Sequence, residues 1–390
     1  MKIKPLKILV VASWYPSHVE PVYGSFVQEQ VNMLKERGHD ITVLHPVLNG
    51  TFWNAWKIKS SIQKENYFGV DVIRVKASPY LPRNRKLAYR RCLLLTLKAI
   101  NVFNLPMHEF DVIHSHSAFL GGIIGHKLAT KFNVKQVHTE HTSGLVSDFH
   151  QYNRSDRSVL KNFFEQTDLC LFVSTFSMKE TLRNCRVFQK SKHRVLHNMV
   201  EDTFFDVIDV PPVRPFRYLV ISNLIPRKNV SLILEAWKRL ISEFPSSTLT
   251  IAGDGPSKKE LIDFTHKNSL SDSVIFENRL KRTQVKEAID ACHVMLSSSE
   301  IETFGLTVAE AQAAGRPVVV TDSGGVRDIV TDKTGIITSF ETEDFAKGLI
   351  KIQKDYHLFD AHKIQALTKE KFSSEILYKQ LMDLYATVLF

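Results

Sequence analysis

Two glutamates eight residues apart carry the first sign of chemistry in this chain. In EIETFGLTVAEAQAAGRPVVVT (300–321), Glu302 stands in a polar turn that follows an apolar run. Glu310 stands in a segment of helix-forming residues, closed by Gly315. Gly305, between the two acids, lets backbone approach a ligand. A helix over about 306–314 presents free amides and partial positive charge at its start, which makes an anion seat. Glu302 then lies on the loop before the helix and Glu310 about one turn inside it. Two acceptors flanking an anion seat suit a ligand with phosphates in the middle and hydroxyls at both ends, such as a nucleotide sugar. An ordinary strand–loop–helix with solvated glutamates fits the same pattern.

A second segment, VISNLIPRKNVSLILEAWKRL (220–240), puts Arg227, Lys228 and Asn229 before a helix. Two cations at a helix start oppose its dipole unless an anion sits there. Together they could clamp a diphosphate; a solvated basic loop is the other reading. Histidines also cluster, with His114 and His116 alternating on a strand end and His138 and His141 near another. Strand-end histidines are more often packing or capping residues than catalysts.

The elements that must position these residues alternate between strand and helix. Continuous apolar runs such as KILVVA near the start imply strands buried on both faces. Helical spacing recurs over 25–37, 86–103, 119–132 and 230–243, and Gly38 stops the first of these. The pattern restarts after the proline-rich stretch 206–216. Two α/β domains with mainly parallel sheets follow, and 390 residues are too many for one ordinary core. A final amphipathic helix carries Leu377, Leu381, Leu384 and Tyr385 on one face. Ligands of such sheets lie beyond the carboxyl ends of the strands, so a cleft between two such domains is the expected active site.

Composition narrows the classes. The chain is 44% hydrophobic and 24% charged, as in folded globular proteins. No apolar run nears 18 residues, so no transmembrane helix is expected. Trp14, Tyr15 and Pro16 follow the first apolar run where a signal peptide would need small residues. Four scattered cysteines without a C-x-x-C pair suit a reducing cytoplasm and give no zinc framework. No G-x-G-x-x-G follows the first strand of either half, and no Walker A sequence occurs. No D-x-D motif is present to hold a metal–diphosphate. The net charge of +10 lies wholly in residues 1–210, with 28 basic against 18 acidic residues. That points to an anionic partner.

The residues of both halves resemble glycosyltransferase family 4, retaining enzymes of the GT-B fold. In the second half the match runs through SNLIPRKN, IAGDGP, ETFGLTVAE and AQAAGRPVV. In the first it runs through WYPSHVEPVYGSFVQEQVNMLKERGHDITVLHP, DVIHSHSAF and VLHNMVEDTFF. The resemblance implies two Rossmann-like doubly wound domains facing across a cleft. The acceptor-side domain would cover 1–205 plus the helix 374–390, and the donor domain 214–373. It implies transfer of a hexose from a nucleoside diphosphate sugar, of UDP or GDP type, with retention and without metal or other cofactor. The acceptor would be a saccharide or lipid-linked saccharide in cell-surface polysaccharide or glycolipid synthesis. By motif match, Glu310 would bind ribose hydroxyls, Glu302 would meet sugar hydroxyls, and Lys228 would bind the diphosphate. The amides of Phe304, Gly305 and Leu306 would face the distal phosphate and sugar. Gly24 and Ser25 would present a loop of the first domain to the phosphates, and His116 would sit near the reacting sugar. His141 would line the acceptor side.

Two departures stand out. The family often has Gly-Arg where this chain has Ser222-Asn223, so Asn223 replaces a diphosphate arginine that Arg227 could supply instead. It often has paired glycines where this chain has Gly24-Ser25. The alternatives are a GT-B sugar-nucleotide epimerase or phosphorylase and a non-catalytic sugar-nucleotide binding protein. Lastly, segment 82–103 sets Arg83, Arg85, Lys86, Arg90, Arg91 and Lys98 beside Leu87, Leu93, Leu94, Leu95 and Leu97. A basic amphipathic helix suggests an anionic membrane surface through 83–98, hence a cytoplasmic chain peripheral to the inner face; a solvated basic helix face is equally open. Nucleic acid is not expected as a partner.

Overall fold

A computed structural model describes residues 4–48, 59–78, 85–187, 192–206, 211 and 214–390. The chain divides into two compact units. The first comprises Met1–Val173, Met178–Leu196 and Tyr378–Phe390; the second comprises Ser174–Ser177 and His197–Leu377. This division differs from the expected 205/214 boundary. Segment 197–206 belongs to the second unit because the Val200 amide donates to the Phe372 carbonyl and the buried Phe204 packs beneath Arg282.

The first unit opens with β1 (Lys7–Ala12), α1 (Ser25–Glu36) and β2 (Asp40–Leu48). A hairpin of β3 (Ser61–Tyr67) and β4 (Val70–Ala77) leads to α2 (Arg85–Val102). Then come β5 (Val112–His116), α3 (Ile123–Phe132), β6 (Lys135–Glu140) and α4 (Arg154–Gln166). β7 (Leu169–Phe172), α5 (Thr175–Cys185) and β8 (His193–Val195) complete the run. The sheet order is β3-β4-β2-β1-β5-β6-β7-β8, parallel except for the β3–β4 pair. β1 is central, and its unbroken apolar run is buried from Ile8 to Ala12 as a strand covered on both faces must be.

The second unit repeats the plan. It contains β9 (Arg217–Ile221), α6 (Val230–Glu243), β10 (Thr248–Ala252), α7 (Lys258–Lys267) and β11 (Val274–Glu277). α8 (Arg282–Ala291), β12 (Val294–Ser297), α9 (Leu306–Ala313), β13 (Val318–Thr321) and β14 (Gly335–Thr338) follow. Its parallel sheet has the order β11-β10-β9-β12-β13-β14. The core centres on Trp237 of α6, which meets Tyr218 edge-on and donates through its indole N–H to Ser273 Oγ at 3.0 Å. Three more helices end the chain: α10 (Thr342–Lys354), α11 (Ala361–Phe372) and α12 (Ser374–Leu389). α12 bends the chain back to the first unit, where Tyr378 and Tyr385 reach His39 and His114.

Strand order reverses between β1 and β5 in the first unit and between β9 and β12 in the second. These are the switch points where open α/β sheets bind ligands.

Candidate active site

The second unit gathers its candidates at the β9/β12 switch point. After β9 the chain makes a short turn, Pro226–Lys228, and Asn229 adopts a left-handed conformation before α6. Ser298 Oγ, beyond β12, donates to the carbonyls of Lys228 and Asn229 at 3.0 and 2.8 Å. The Glu300 amide donates to the Arg227 carbonyl at 3.0 Å. The cationic loop is thus tied to the acidic one. Lys228 Nζ lies 2.5 Å from Glu302 Oε1, which also accepts from Ser299 Oγ at 2.8 Å. Glu302 is held in turn by its backbone, whose amide donates to Ser323 and whose carbonyl accepts from Gly325.

α9 begins directly after this turn. Gly305, at φ 105, is its N-cap, and no side chain caps it, so no capping group competes with an anion at this helix start. A Cβ at Gly305 would sit 3.2 Å from the Val326 side chain, on top of the strain of positive φ. Leu306 is the first helical residue. Phe304 offers only its backbone to this loop, because its ring is buried against Phe372 edge-on at 5.4 Å. Glu310 is 1% exposed and meets Arg282 Nη1 at 2.5 Å. Burial raises the Glu310 carboxyl above the usual range, and the Arg282 charge opposes that rise. Both acids of the eight-residue pair are therefore bound to a cation.

Sequence reasoning missed Arg282, although the signal existed. Lys281 and Arg282 stand at the start of α8, the same dipole conflict that singled out Arg227 and Lys228. It also missed Arg279, whose Nη2 donates to Asn223 Oδ1 at 3.1 Å. The structure brings Lys228, Glu302 and Gly305 onto adjoining loops, and Asn223 begins the loop that carries Lys228, its side chain accepting from Arg279 beyond β11.

In the first unit, Gly24 is the N-cap of α1 at φ 84 and Ser25 its first residue. A Cβ at position 24 would lie 2.5 Å from the Trp14 carbonyl carbon, so close packing alone demands glycine there. Phe26, the next residue, packs on the His141 ring at 4.5 Å. His141 Nε2 is 3.1 Å from His116 Nδ1, and His116 stacks on His114 at 4.4 Å. His114 spans Tyr385 Oη (2.6 Å) and Thr139 Oγ1 (2.8 Å), and His138 contacts Glu140 at 3.3 Å. Burial drives His116 well below the ordinary histidine range, so it acts as a neutral imidazole.

The 83–98 segment lies mostly on α2; Arg83 and the side chains of Arg85 and Lys86 fall outside the described residues. The apolar face expected to meet a membrane is largely used internally, since Leu93, Leu95 and Leu97 pack on the core. Leu87 and Leu94 are exposed beside exposed Arg90 and Lys98, and Arg91 Nη2 donates to Ser60 Oγ. Among the described residues, no helix is long and apolar enough to cross a membrane.

Two family models cover the chain in succession. Residues 24–204 match Glycosyltransferase Family 4, and residues 205–369 match Glycosyl transferases group 1. The chain belongs to glycosyltransferase family 4. It is 25% identical over 251 residues to a subunit of the phosphatidylinositol N-acetylglucosaminyltransferase of Arabidopsis thaliana, matching 63% of this chain but only 55% of that relative. It is 24% identical to N-acetyl-alpha-D-glucosaminyl L-malate synthase of Bacillus anthracis, covering 98% of both chains. Among solved structures, Anabaena HepE in complex with UDP and glucose aligns with a TM-score of 0.74 at 18% identity, over 98% of this chain and 100% of that one. The fold is GT-B.

Proposed function

We propose that this glycosyltransferase moves a hexose from a nucleoside diphosphate sugar, of UDP or GDP type, to a saccharide or lipid-linked saccharide with retention and without a metal. One observation carries the reading: at a single switch point, Lys228 pairs with Glu302 beside the open amide end of α9, with Glu310 buried one turn further on. Glu310 would take the ribose, the α9 amides and Lys228 the diphosphate, and Glu302 the sugar hydroxyls. In the first unit the proposal gives Gly24 and Ser25 a phosphate contact and His116 a place beside the reacting sugar. The acceptor O–H attacks C1 on the face of the leaving group. The C1–O bond to phosphate breaks, and the departing phosphate oxygen takes the acceptor proton. Preorganised donors stabilise the charge that develops on that oxygen.

Glu310→Ala is the direct test. A hydrogen bond to a charged group contributes about 1.5–3 kcal/mol, so the variant should bind UDP or GDP roughly 10- to 100-fold more weakly while remaining folded. Titration calorimetry beside a melting curve measures both. Unchanged affinity in the folded variant removes Glu310 from the donor site. Turnover of a nucleotide sugar into free acceptor product separates transfer from epimerisation and from binding alone.

The exposed stripe of Leu87, Arg90, Leu94 and Lys98 supports a secondary proposal of anionic-membrane docking. Such attraction is screened over about 8 Å at physiological salt. Sedimentation with anionic vesicles should therefore fall as salt rises, and replacing Arg90, Arg91 and Lys98 with serine should weaken it further. Equal partitioning onto neutral vesicles, or none at all, leaves α2 an ordinary solvated helix.

A further inference from the structure

Arg282 occupies a position that none of the donor contacts above explains. It is the first residue of α8, where its charge opposes the helix dipole. Two carboxylates offset that opposition. Nη1 meets Glu310 Oε1 at 2.5 Å, and Nε meets Glu201 Oε2 at 3.0 Å. The guanidinium carbon lies 4.7 Å over the Phe204 ring, itself buried. An arginine fixed by an acid on two edges and an aromatic ring on its face loses little further freedom in holding Glu310.

Glu310 needs such a partner. Its carboxylate is buried, and a buried carboxylate without a counter-charge becomes protonated. The charged groups facing it are Arg282, which favours ionisation, and Glu201, which opposes it together with burial. Only the ionised form accepts charge-assisted hydrogen bonds from both ribose hydroxyls, and these are about twice as strong as neutral ones.

We propose that Arg282 is a positioning residue for the donor: it holds the buried Glu310 carboxylate charged and aimed at the ribose. The inference rests on the reading of Glu310 as the ribose acceptor. Arg282 engages Oε1 of that carboxylate. It touches the acid, not the reacting atoms, so its effect must pass through Glu310. Glu201 and Phe204, at the start of the second unit, act one step further back by fixing Arg282.

The experiment is calorimetric titration of the full chain with UDP and with GDP at pH 6.5, 7.5 and 8.5. The proteins are wild type, R282Q, R282K, E310A and R282Q/E310A. Relative to wild type in the same buffers, R282Q should bind about tenfold more weakly at pH 6.5 and recover as pH rises and Glu310 ionises. R282K, which keeps the charge but not the fork, should fall between the two. On the E310A background the R282Q change should cost less than about twofold, as coupled residues require. If R282Q does not fold, R282K carries the same comparison, and its loss must likewise vanish on the E310A background. A loss that is equal at every pH, or as large on E310A as on wild type, overturns the proposal and makes Arg282 a direct donor contact or a structural residue. Wild type that binds neither nucleotide overturns the donor reading itself, and E310A that binds like wild type overturns the ribose assignment.

Discussion

Replacing Lys228 with alanine is expected to lower kcat about 10²–10³-fold while the donor Kd moves much less. The reason is the timing of charge. The diphosphate is anionic in the ground state, but the oxygen that leaves C1 gains its full charge only as the bond breaks. A cation held at that place therefore stabilises the transition state more than the complex. Lys228 is held: Ser298 Oγ donates to its carbonyl, and its ammonium pairs with Glu302, which also accepts from Ser299. Arg227→Ala is expected to match that loss only if Arg227 supplies the cation that the family often has at position 223, where Arg279 also stands, donating to Asn223. Steady-state kinetics with a nucleotide sugar and calorimetry with the matching nucleotide separate the two effects. Near-normal kcat in Lys228→Ala would remove the cationic clamp from the mechanism, and a loss confined to Kd would make Lys228 a binding residue only.

What made Lys228 visible in the sequence also shows where reading a sequence stops. Helix α6 begins at Val230 and ends at Glu243, as its apolar spacing indicates, because one face of it must cover the sheet. β1 and β9 are legible for the same reason in another period: after a first basic residue each is an unbroken apolar run. β3 is not legible. SIQKENY is a charged edge strand whose place is set by its partner β4 through a turn at Phe68 and Gly69, both at positive φ. Phe is a poor turn signal, so only the pairing reveals the hairpin. The site divides along the same line. Glu302, Gly305 and Glu310 share one loop and helix, and their spacing carries their relation. Arg282 reaches Glu310 across 28 residues of chain, from the helix after a different strand. That relation is a product of sheet order, which no local pattern encodes. Gly24 teaches the converse: a glycine read as a phosphate contact has a sufficient packing reason in the Trp14 backbone.

The first unit is expected to unfold in mild acid, well before ordinary carboxylate protonation would require it. His45, His114 and His141 are buried, and burial lowers each of them to about 3. Arg74 and Lys76 add to the depression at His45, and His138 adds to it at His114 and His141; at His141 the Glu140 charge works the other way. In the unfolded chain each imidazole returns to about 6.5. Between those values the unfolded state binds more protons, so the stability these residues confer is intact above pH 6.5 and declines as pH falls. Each fully titrating group contributes a slope of about 1.4 kcal/mol per pH unit, so three give about 4. At pH 5 the summed loss approaches about 6 kcal/mol, which is comparable to the whole stability of many domains. Glu140 adds a loss only in stronger acid: burial raises its carboxyl, but hydrogen bonds from His138 and Thr142 outweigh that and lower it, so its contribution holds above about pH 4.5 and falls away below. Hydrogen exchange resolved by segment should show β5 and β6 losing protection between pH 6.5 and 5. Denaturant unfolding over that range should report an uptake of at least three protons, since burial lowers His116 as well, and His45→Asn should remove about one of them while lowering stability at pH 8. An uptake below one proton, or protection in β5 and β6 that does not change with pH, would mean that the buried histidines are protonated or rehydrated in the folded state.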